Sequence, residues 1–431
     1  IDNGVYQTSN VFNNLTDNKE YTIRVKAIDS AGREFNVYET TVTTDTYDLP
    51  VINNVTVDST SNSITINVNA TGGDGSIVSY HYSRDDGSNY QTSNSNTYTF
   101  SDLTPQTTFY IKVYVTDSNG RTSSEYSTSV ATEAPIYLND YIVNTLYTGT
   151  DGDNGLYYHE GVGSYENANL EADDNSYRYS GANPNNYVCF GSDEAACPVD
   201  NLYRIIGVFD GQVKLIKYDY VTKDILQTNG AYFGNDGIPK DSYKGSLSTI
   251  PWYKWGNSNT WTESELNTIN LNTNYLSSIE DLKDYIVETE WQVGGGSASY
   301  LRTGDAKTAF EHELGANSEN EIYRAKIGLM YLSDYYYAAN PKYWSYQGAS
   351  STSDDYSNAT NENWIYMGGL DWTISRDSSS SSRSYNISWQ GYVNTTYVTS
   401  DNGIRPVVNL KETVYVIDGD GSQADPYIIG M

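Results

Sequence analysis

Apolar and polar positions alternate most regularly near the N-terminus, where Tyr21, Ile23, Val25 and Ala27 are separated by polar neighbours. That period of two marks a half-buried strand. The pattern returns 88 residues later: residues 103–115 align with 15–27, and both copies run into Asp-Ser-x-Gly-Arg, at 29–33 and 117–121. Ile64, Ile66 and Val68 supply a further alternating strand ahead of the second copy. The second copy is complete over 46–133, whereas the first, 1–45, keeps only its last three or so strands. A sandwich without its opening half leaves an apolar face bare, so the missing strands are expected upstream in the native chain or on another copy. The chain opens on Ile1 and not Met, which predicts a processed or truncated piece.

From 136 to 431 the pattern changes. Residues 203–209 and 213–218 alternate as two strands joined by Asp210-Gly211, a hairpin signal. Thr262-x-x-Glu265 reads as a capping box opening a helix at Leu266 and Ile269. Leu282, Tyr285 and Ile286 predict a second helix, and Ala306, Ala309, Phe310 and Leu314 a third. Residues 327–332 read as a buried strand, and Gly294-Gly295-Gly296 as a flexible turn.

Residues 377–402 form a Ser/Asn/Tyr-rich stretch between two apolar anchors, one holding Trp372 and Arg376 and the other Arg405. Such polar segments on a scaffold are where binding residues concentrate. The candidate ligand-binding residues are Tyr385, Asn386, Ser388, Tyr392, Asn394, Thr396 and Tyr397. Alternation with Trp389 and Val393 as core leaves Asn386, Ser388, Tyr392, Asn394 and Thr396 as the exposed series. Trp372, Arg376 and Arg405 are expected to be scaffold.

Composition narrows the partners. With 25 Lys plus Arg against 55 Asp plus Glu, the net charge of −30 excludes a general nucleic-acid binder and makes anionic membrane surfaces poor partners. No apolar run reaches the 18 to 20 residues or so of a membrane span, so direct insertion is not expected. The 43 tyrosines, against 8 phenylalanines, suit a surface that combines ring stacking with hydrogen bonding. Cys189 and Cys197 lie close enough in sequence for a turn to close a disulfide, which would imply an oxidising, extracytoplasmic setting.

Catalytic chemistry was sought and not found. His81, His159 and His312 are scattered, and nucleophile-elbow, phosphate-loop and zinc signatures are absent. No metal or cofactor is expected. Asp151-Gly152-Asp153-Asn154-Gly155 and Asp418-Gly419-Asp420-Gly421 lack the carboxylate at position twelve that an EF-hand needs, which leaves only a nonstandard calcium loop open.

The two halves resemble two families. The corner Leu103-Thr104-Pro105-Gln106-Thr107-Thr108-Phe109 and its continuation to Val113 resemble fibronectin type III repeats, although Ile64, Ile66 and Val68 stand where that family usually has a Trp. The segments 201–209, 213–217, 261–267, 326–334, Asp371-Trp372-Thr373-Ile374-Ser375-Arg376, 403–410 and 419–427 resemble the bacterial C-type-lectin-like domains related to the formylglycine-generating-enzyme fold, over roughly 136–430. The resemblances imply a multidomain protein, all-β fibronectin type III-like sandwiches followed by an α+β C-type-lectin-like domain. They imply an extracellular bacterial surface protein whose stalk presents a distal head to an unknown glycan or protein ligand. Two alternatives stand beside that reading. One is a subunit of a filament or surface layer, with self-assembly through the incomplete first sandwich. The other is an enzyme of the formylglycine-generating type, which would need a reactive cysteine pair in its cleft.

Overall fold

The structure is a computed structural model that describes every residue except 193, 195, 319, 320, 346 and 349–352, and the backbone alone for 353–355. The chain divides into two compact units, Ile1–Pro135 and Ile136–Met431.

In the first unit, β1 (Glu20–Val25) and β2 (Tyr38–Thr43) form an antiparallel pair. The remaining strands are β3 (Val51–Ser59), β4 (Ile64–Thr71), β5 (Ile77–Ser83), β6 (Gln91–Ser93), β7 (Thr97–Phe100), β8 (Thr108–Asp117) and β9 (Tyr126–Ala131). They make two sheets, ordered β3-β4-β7 and β6-β5-β8-β9. Alternation decides which side chains meet between them. Ile64, Ile66 and Val68 from one sheet pack with Tyr82, Ile111, Val113 and Val115 from the other, all at 2% exposure or less. Each such burial stabilises by roughly 1.5 to 3 kcal/mol. This is a β-sandwich of a three-stranded and a four-stranded sheet, built around the strands that the repeat predicted.

The second unit carries sixteen further strands among the described residues. The first six are β10 (Ile136–Tyr137), β11 (Leu156–Tyr158), β12 (Tyr177–Tyr179), β13 (Tyr187–Cys189), β14 (Leu202–Phe209) and β15 (Gln212–Lys217). Next come β16 (Tyr232–Gly237), β17 (Ile250–Tyr253), β18 (Thr289–Gln292), β19 (Ile322–Ala325), β20 (Asp371–Arg376), β21 (Arg383–Ile387) and β22 (Val393–Tyr397). The last three are β23 (Val407–Asn409), β24 (Tyr415–Asp418) and β25 (Tyr427–Gly430). Nine of them join one mixed sheet, in which β13 runs parallel to β25 and β14 pairs with β12, β13 and β15. Strand β14 is buried along nearly its whole length, as expected of a strand covered on both faces. Asp210 and Gly211, at φ 48° and 79°, turn it into β15, the two positive values that a tight hairpin turn demands. Gly207 is needed where β14 meets β12, since a Cβ there would fall 2.2 Å from the Tyr177 carbonyl oxygen.

Several local expectations need correction. The helix Leu266–Tyr275 exists, but it winds with i to i+5 spacing, and Thr262 and Glu265 make no capping box. Ser264 stands in that place, its Oγ accepting from the Asn267 N–H at 3.4 Å while its hydroxyl donates to the Trp255 carbonyl. Residues 327–331 form no strand and Leu332 opens the helix Leu332–Tyr337; the preceding residues Ile322–Ala325 pair with β18 instead, and Gly328 makes only an isolated bridge to Val407. The second predicted helix is a short 3-10 segment, Glu280–Tyr285. The third is Ala306–Glu313, capped by Asp305, whose carboxylate accepts from the Thr308 N–H. Gly294, Gly295 and Gly296 are buried and not a free turn. A Cβ on Gly295 would lie 2.2 Å from the Arg376 carbonyl oxygen, so the glycines let this loop press against β20.

Candidate recognition surface

Strands β20, β21 and β22 form a three-stranded sheet with β21 in the middle. The 377–402 segment reaches solvent at the 378–382 turn between β20 and β21, at the hairpin turn between β21 and β22, and at 397–399. Ser388 and Gly391 close the hairpin: the Gly391 N–H donates to the Ser388 carbonyl at 2.9 Å, and the Ser388 N–H to the Tyr392 carbonyl at 3.0 Å. Gly391 sits at φ 85°, a conformation that favours glycine. Tyr335 fixes the tip from below, its hydroxyl donating to the Gly391 carbonyl at 2.6 Å, and Tyr366 donates to the Trp389 carbonyl.

Around this turn, Trp389 and Tyr392 are half-buried and Gln390 is exposed. Trp389 packs edge-on against Trp252 at 5.9 Å between ring centroids, with Lys240 Nζ 4.4 Å above its ring. Tyr392 lies 5.2 Å from the ring of Tyr356. Further along β22, the outer edge of the sheet, Asn394 and Thr396 are half-exposed and Tyr397 is 56% exposed, with the Arg383 guanidinium 4.9 Å from its ring. Planar rings on a hydrogen-bonded turn, flanked by short polar groups, can stack on a ligand and hydrogen-bond to it with little loss of side-chain freedom.

Three of the seven predicted ligand residues do not reach this surface. Tyr385, Asn386 and Ser388 are 0%, 3% and 4% exposed. The cause is the turn together with the central position of β21. Unbroken alternation through 385–397 does not hold, because residues 388–391 reverse the chain, so Tyr385 pairs with Thr395 and Ile387 with Val393. The other face of β21 is covered as well, where the Asn386 amide donates to Asn402 Oδ1 at 2.8 Å. Ser388 instead holds the turn, its Oγ accepting from the Tyr392 N–H. Trp389, expected as core, is half-buried: it lies in the turn and packs on the cluster of Tyr220, Ile250, Trp252 and Met367. The structure adds Lys240, Tyr356, Tyr366 and Arg383, of which only Arg383 lies within the segment singled out from the sequence. A Ser-x-x-Gly turn signal was present at 388–391, and it could have located the tip.

The scaffold residues lie beneath. Trp372 is 1% exposed and donates its indole N–H to the Tyr253 carbonyl at 2.7 Å. Arg405 pairs with Asp371 at 2.8 Å, both nearly inaccessible, and donates to the Ile365 carbonyl. Burial pushes the Asp371 carboxyl up, and the Arg405 guanidinium opposes that shift. Arg376 donates to the Gly294 carbonyl and pairs with Glu321. Arg204, which the sequence did not single out, is buried with neutral acceptors, among them Asn186 Oδ1 and the Pro184 carbonyl, and burial lowers its pKa to about 10.

Cys189 and Cys197 form a disulfide, with Cα atoms 5.8 Å apart. Neither offers the free thiol that formylglycine-type chemistry requires. His81 stands on β5 within hydrogen-bonding reach of Ser79, Thr92 and Thr116. His159 is fully buried against Trp344 and Tyr337, and the His312 ring stacks on Tyr300. In the two acidic loops the carboxylates serve local bonds: Asp151 accepts from the Tyr158 N–H, Asp153 from the Thr148 hydroxyl, Asp418 from the Gly419 N–H and Asp420 from the Ser422 N–H. Among the described residues no three His, Cys, Asp or Glu side chains gather as a metal site, and no helix is long and apolar enough to cross a membrane. A separate cavity of about 550 Å³ is walled by Phe209, Lys214, Trp291, Gln292, Phe310 and Tyr331.

No family model matches the chain, and no curated protein matches it. Among solved structures, a Bacillus thuringiensis chitinase is similar at 22% identity over 20% of this chain, which spans 14% of the length of that enzyme, with a TM-score of 0.18. The PKD1 domain of Vibrio anguillarum Epp is similar at 23% identity over 21% of this chain and 100% of that domain, TM-score 0.18. The fibronectin(III)-like modules of Clostridium thermocellum CbhA are similar at 18% identity over 27% of this chain and 63% of theirs, TM-score 0.19.

Proposed function

We propose that this is an extracellular bacterial recognition protein in which fibronectin type III-like sandwiches serve as a stalk and residues 136–431 are a C-type-lectin-like head. The head binds a glycan or a protein through the β21–β22 hairpin tip and the adjoining edge of β22. The observation that carries this reading is the tip itself. Tyr366 donates to the Trp389 carbonyl and Tyr335 to the Gly391 carbonyl, and the Ser388–Gly391 turn they hold sets half-buried Trp389 and Tyr392 beside Gln390, Asn394 and exposed Tyr397. The Cys189–Cys197 disulfide supports an oxidising location.

The test is an array of glycans and surface proteins probed with the full chain and with a Tyr392→Ala/Asn394→Ala variant. Binding that is present in the full chain and lost or redirected in the variant, with melting temperature nearly kept, is the expected result. Undiminished binding by the variant to every hit would remove the tip from the site.

A further inference from the structure

The two acidic loops of the second unit, which the hairpin tip does not use, meet at one place. Asp151-Gly152-Asp153-Asn154-Gly155 and Asp418-Gly419-Asp420-Gly421 stand near opposite ends of that unit in sequence. Both fold onto Asn183-Pro184-Asn185, in the connection between β12 and β13. The Ser180 N–H donates to the Gly155 carbonyl and the Tyr187 N–H to the Gly421 carbonyl, each at 2.8 Å. Gly421 comes this near because it has no side chain: a Cβ there would lie 2.8 Å from the Asn185 carbonyl oxygen. The three segments wall a cavity of about 420 Å³, within the roughly 300 to 1,000 Å³ of small-molecule sites. No residue of the hairpin tip lines it.

The polar groups along this cavity are held in place but not used up. Asn183 Oδ1 accepts from Arg204 Nη2 at 3.2 Å and from the Tyr187 hydroxyl at 3.1 Å. A guanidinium only donates, so the amide is fixed with Nδ2 as its remaining donor. Asn154 donates Nδ2 to the Leu146 carbonyl at 2.7 Å and keeps Oδ1 as an acceptor. Asp420 accepts from the Ser422 N–H at 2.8 Å, and a carboxylate has room for further donors. Asn185 is exposed and adds another amide. Leu146, Tyr179 and Tyr427 form the apolar part of the wall. Within it the Tyr179 hydroxyl is buried with no hydrogen-bond partner among the described residues, a polar group that the fold alone leaves unsatisfied.

These groups select by chemistry. Among the described residues Asp420 is the only charged side chain in the lining, so an anion meets no cation. A calcium ion meets one carboxylate, where such ions gather about six to eight oxygens. An apolar ligand would strip water from the amides and the carboxylate and give nothing back. A neutral ring with several hydroxyls satisfies them all: its O–H groups donate to Asp420 and Asn154 Oδ1, an oxygen accepts from Asn183 Nδ2, and its C–H face lies against Leu146. We propose that this cavity is a second binding site, separate from the hairpin tip, which takes one neutral pyranose-sized sugar residue through Asn154, Asn183, Asn185 and Asp420.

Saturation-transfer NMR and thermal melts of the full chain test this. The probes are the methyl glycosides of glucose, galactose, mannose and N-acetylglucosamine, and oligosaccharides that end in each. At least one probe should receive saturation. Asn185→Ala/Asp420→Ala should weaken its binding about tenfold or more, as loss of several hydrogen bonds requires, with the melt of the sugar-free chain nearly unchanged. Tyr392→Ala/Asn394→Ala should leave that binding intact. Glycosides and oligosaccharides bound alike would mark a site for a free sugar; oligosaccharides bound alone, and lost in Asn185→Ala/Asp420→Ala, would mark a site for the end of a glycan chain. Three results would overturn the inference: no transfer to any probe at millimolar concentration, undiminished binding by Asn185→Ala/Asp420→Ala, or binding lost in Tyr392→Ala/Asn394→Ala. The last would assign the sugar to the hairpin tip and leave the proposed function standing.

Discussion

At the scale of single residues, the most informative titratable group is His159. Its ring is inaccessible; Nδ1 accepts from the Ala172 N–H at 3.1 Å, and Nε2 has no partner among the described atoms. Burial lowers its pKa well below 6.5, and the nearby Arg178 cation adds to the shift. The unfolded chain therefore takes up a proton that the folded chain refuses. Stability from this site is full above about pH 6.5 and is lost as pH falls below it, by up to about 1.4 kcal/mol per pH unit. Denaturant melts between pH 7 and 5 should show His159→Gln losing less stability than wild type, since glutamine keeps an acceptor and cannot titrate. Equal slopes would mean that the imidazole is solvated. Trp372 tests the scaffold assignment: Trp372→Ala should cost roughly 3 to 5 kcal/mol, because it empties a core site and leaves the Tyr253 carbonyl with only the longer bond from the Asn402 N–H. An unchanged melt would show that this indole is not an anchor.

At the scale of elements, the hairpin tip depends on Gly391. A Cβ there would lie 1.8 Å from Thr360 Cγ2, at a φ of 85°. Gly391→Ala should therefore reshape residues 388–392, seen as shifted Trp389 and Tyr392 resonances, with a stability loss of about 1 to 3 kcal/mol. Retained resonance positions would contradict the turn described. The disulfide ties the end of β13 to the approach to β14. Its removal by Cys189→Ser/Cys197→Ser should lower stability by about 2 to 3 kcal/mol through loop closure, and non-reducing peptide mapping of the wild type should find no alkylatable thiol.

Element by element, the sequence was most legible where one face is buried and one is not. The alternation at 64–68 led to β4 because a half-buried strand writes its period into the chain; the repeat carried the same reading to β1, and turn chemistry at Asp210-Gly211, not burial period, marked the join of β14 and β15. Legibility failed where both faces are covered. Residues 327–331 and 385–388 are buried all round, so hydrophobicity could not say whether they were strand, turn or loop. The three short polar residues Asn386, Ser388 and Ser264 were read as surface or passed over. They are buried because their side chains satisfy neighbouring amides and carbonyls, a role that composition does not reveal. Lys240 and Tyr356 were beyond reach for a different reason: they come to the tip from distant parts of the chain.

At the scale of the molecule, two kinds of surface stand out on a chain of net charge −30. One is the aromatic tip on the second unit, proposed as the binding site. The other is the two-stranded sheet of the first repeat, where Val25 and Val42 are 56% and 49% exposed. They can be told apart, since a ligand for the head should leave the exchange of residues 20–43 unchanged. The most direct test of the proposed recognition role is a hydrogen-exchange footprint of the full chain with and without a ligand taken from the array. Slowed exchange confined to peptides covering 383–400, and to the loop holding Lys240, is the result we expect. Protection that instead surrounds the cavity at Trp291 and Tyr331, with 383–400 unchanged, would contradict it and move the binding site there.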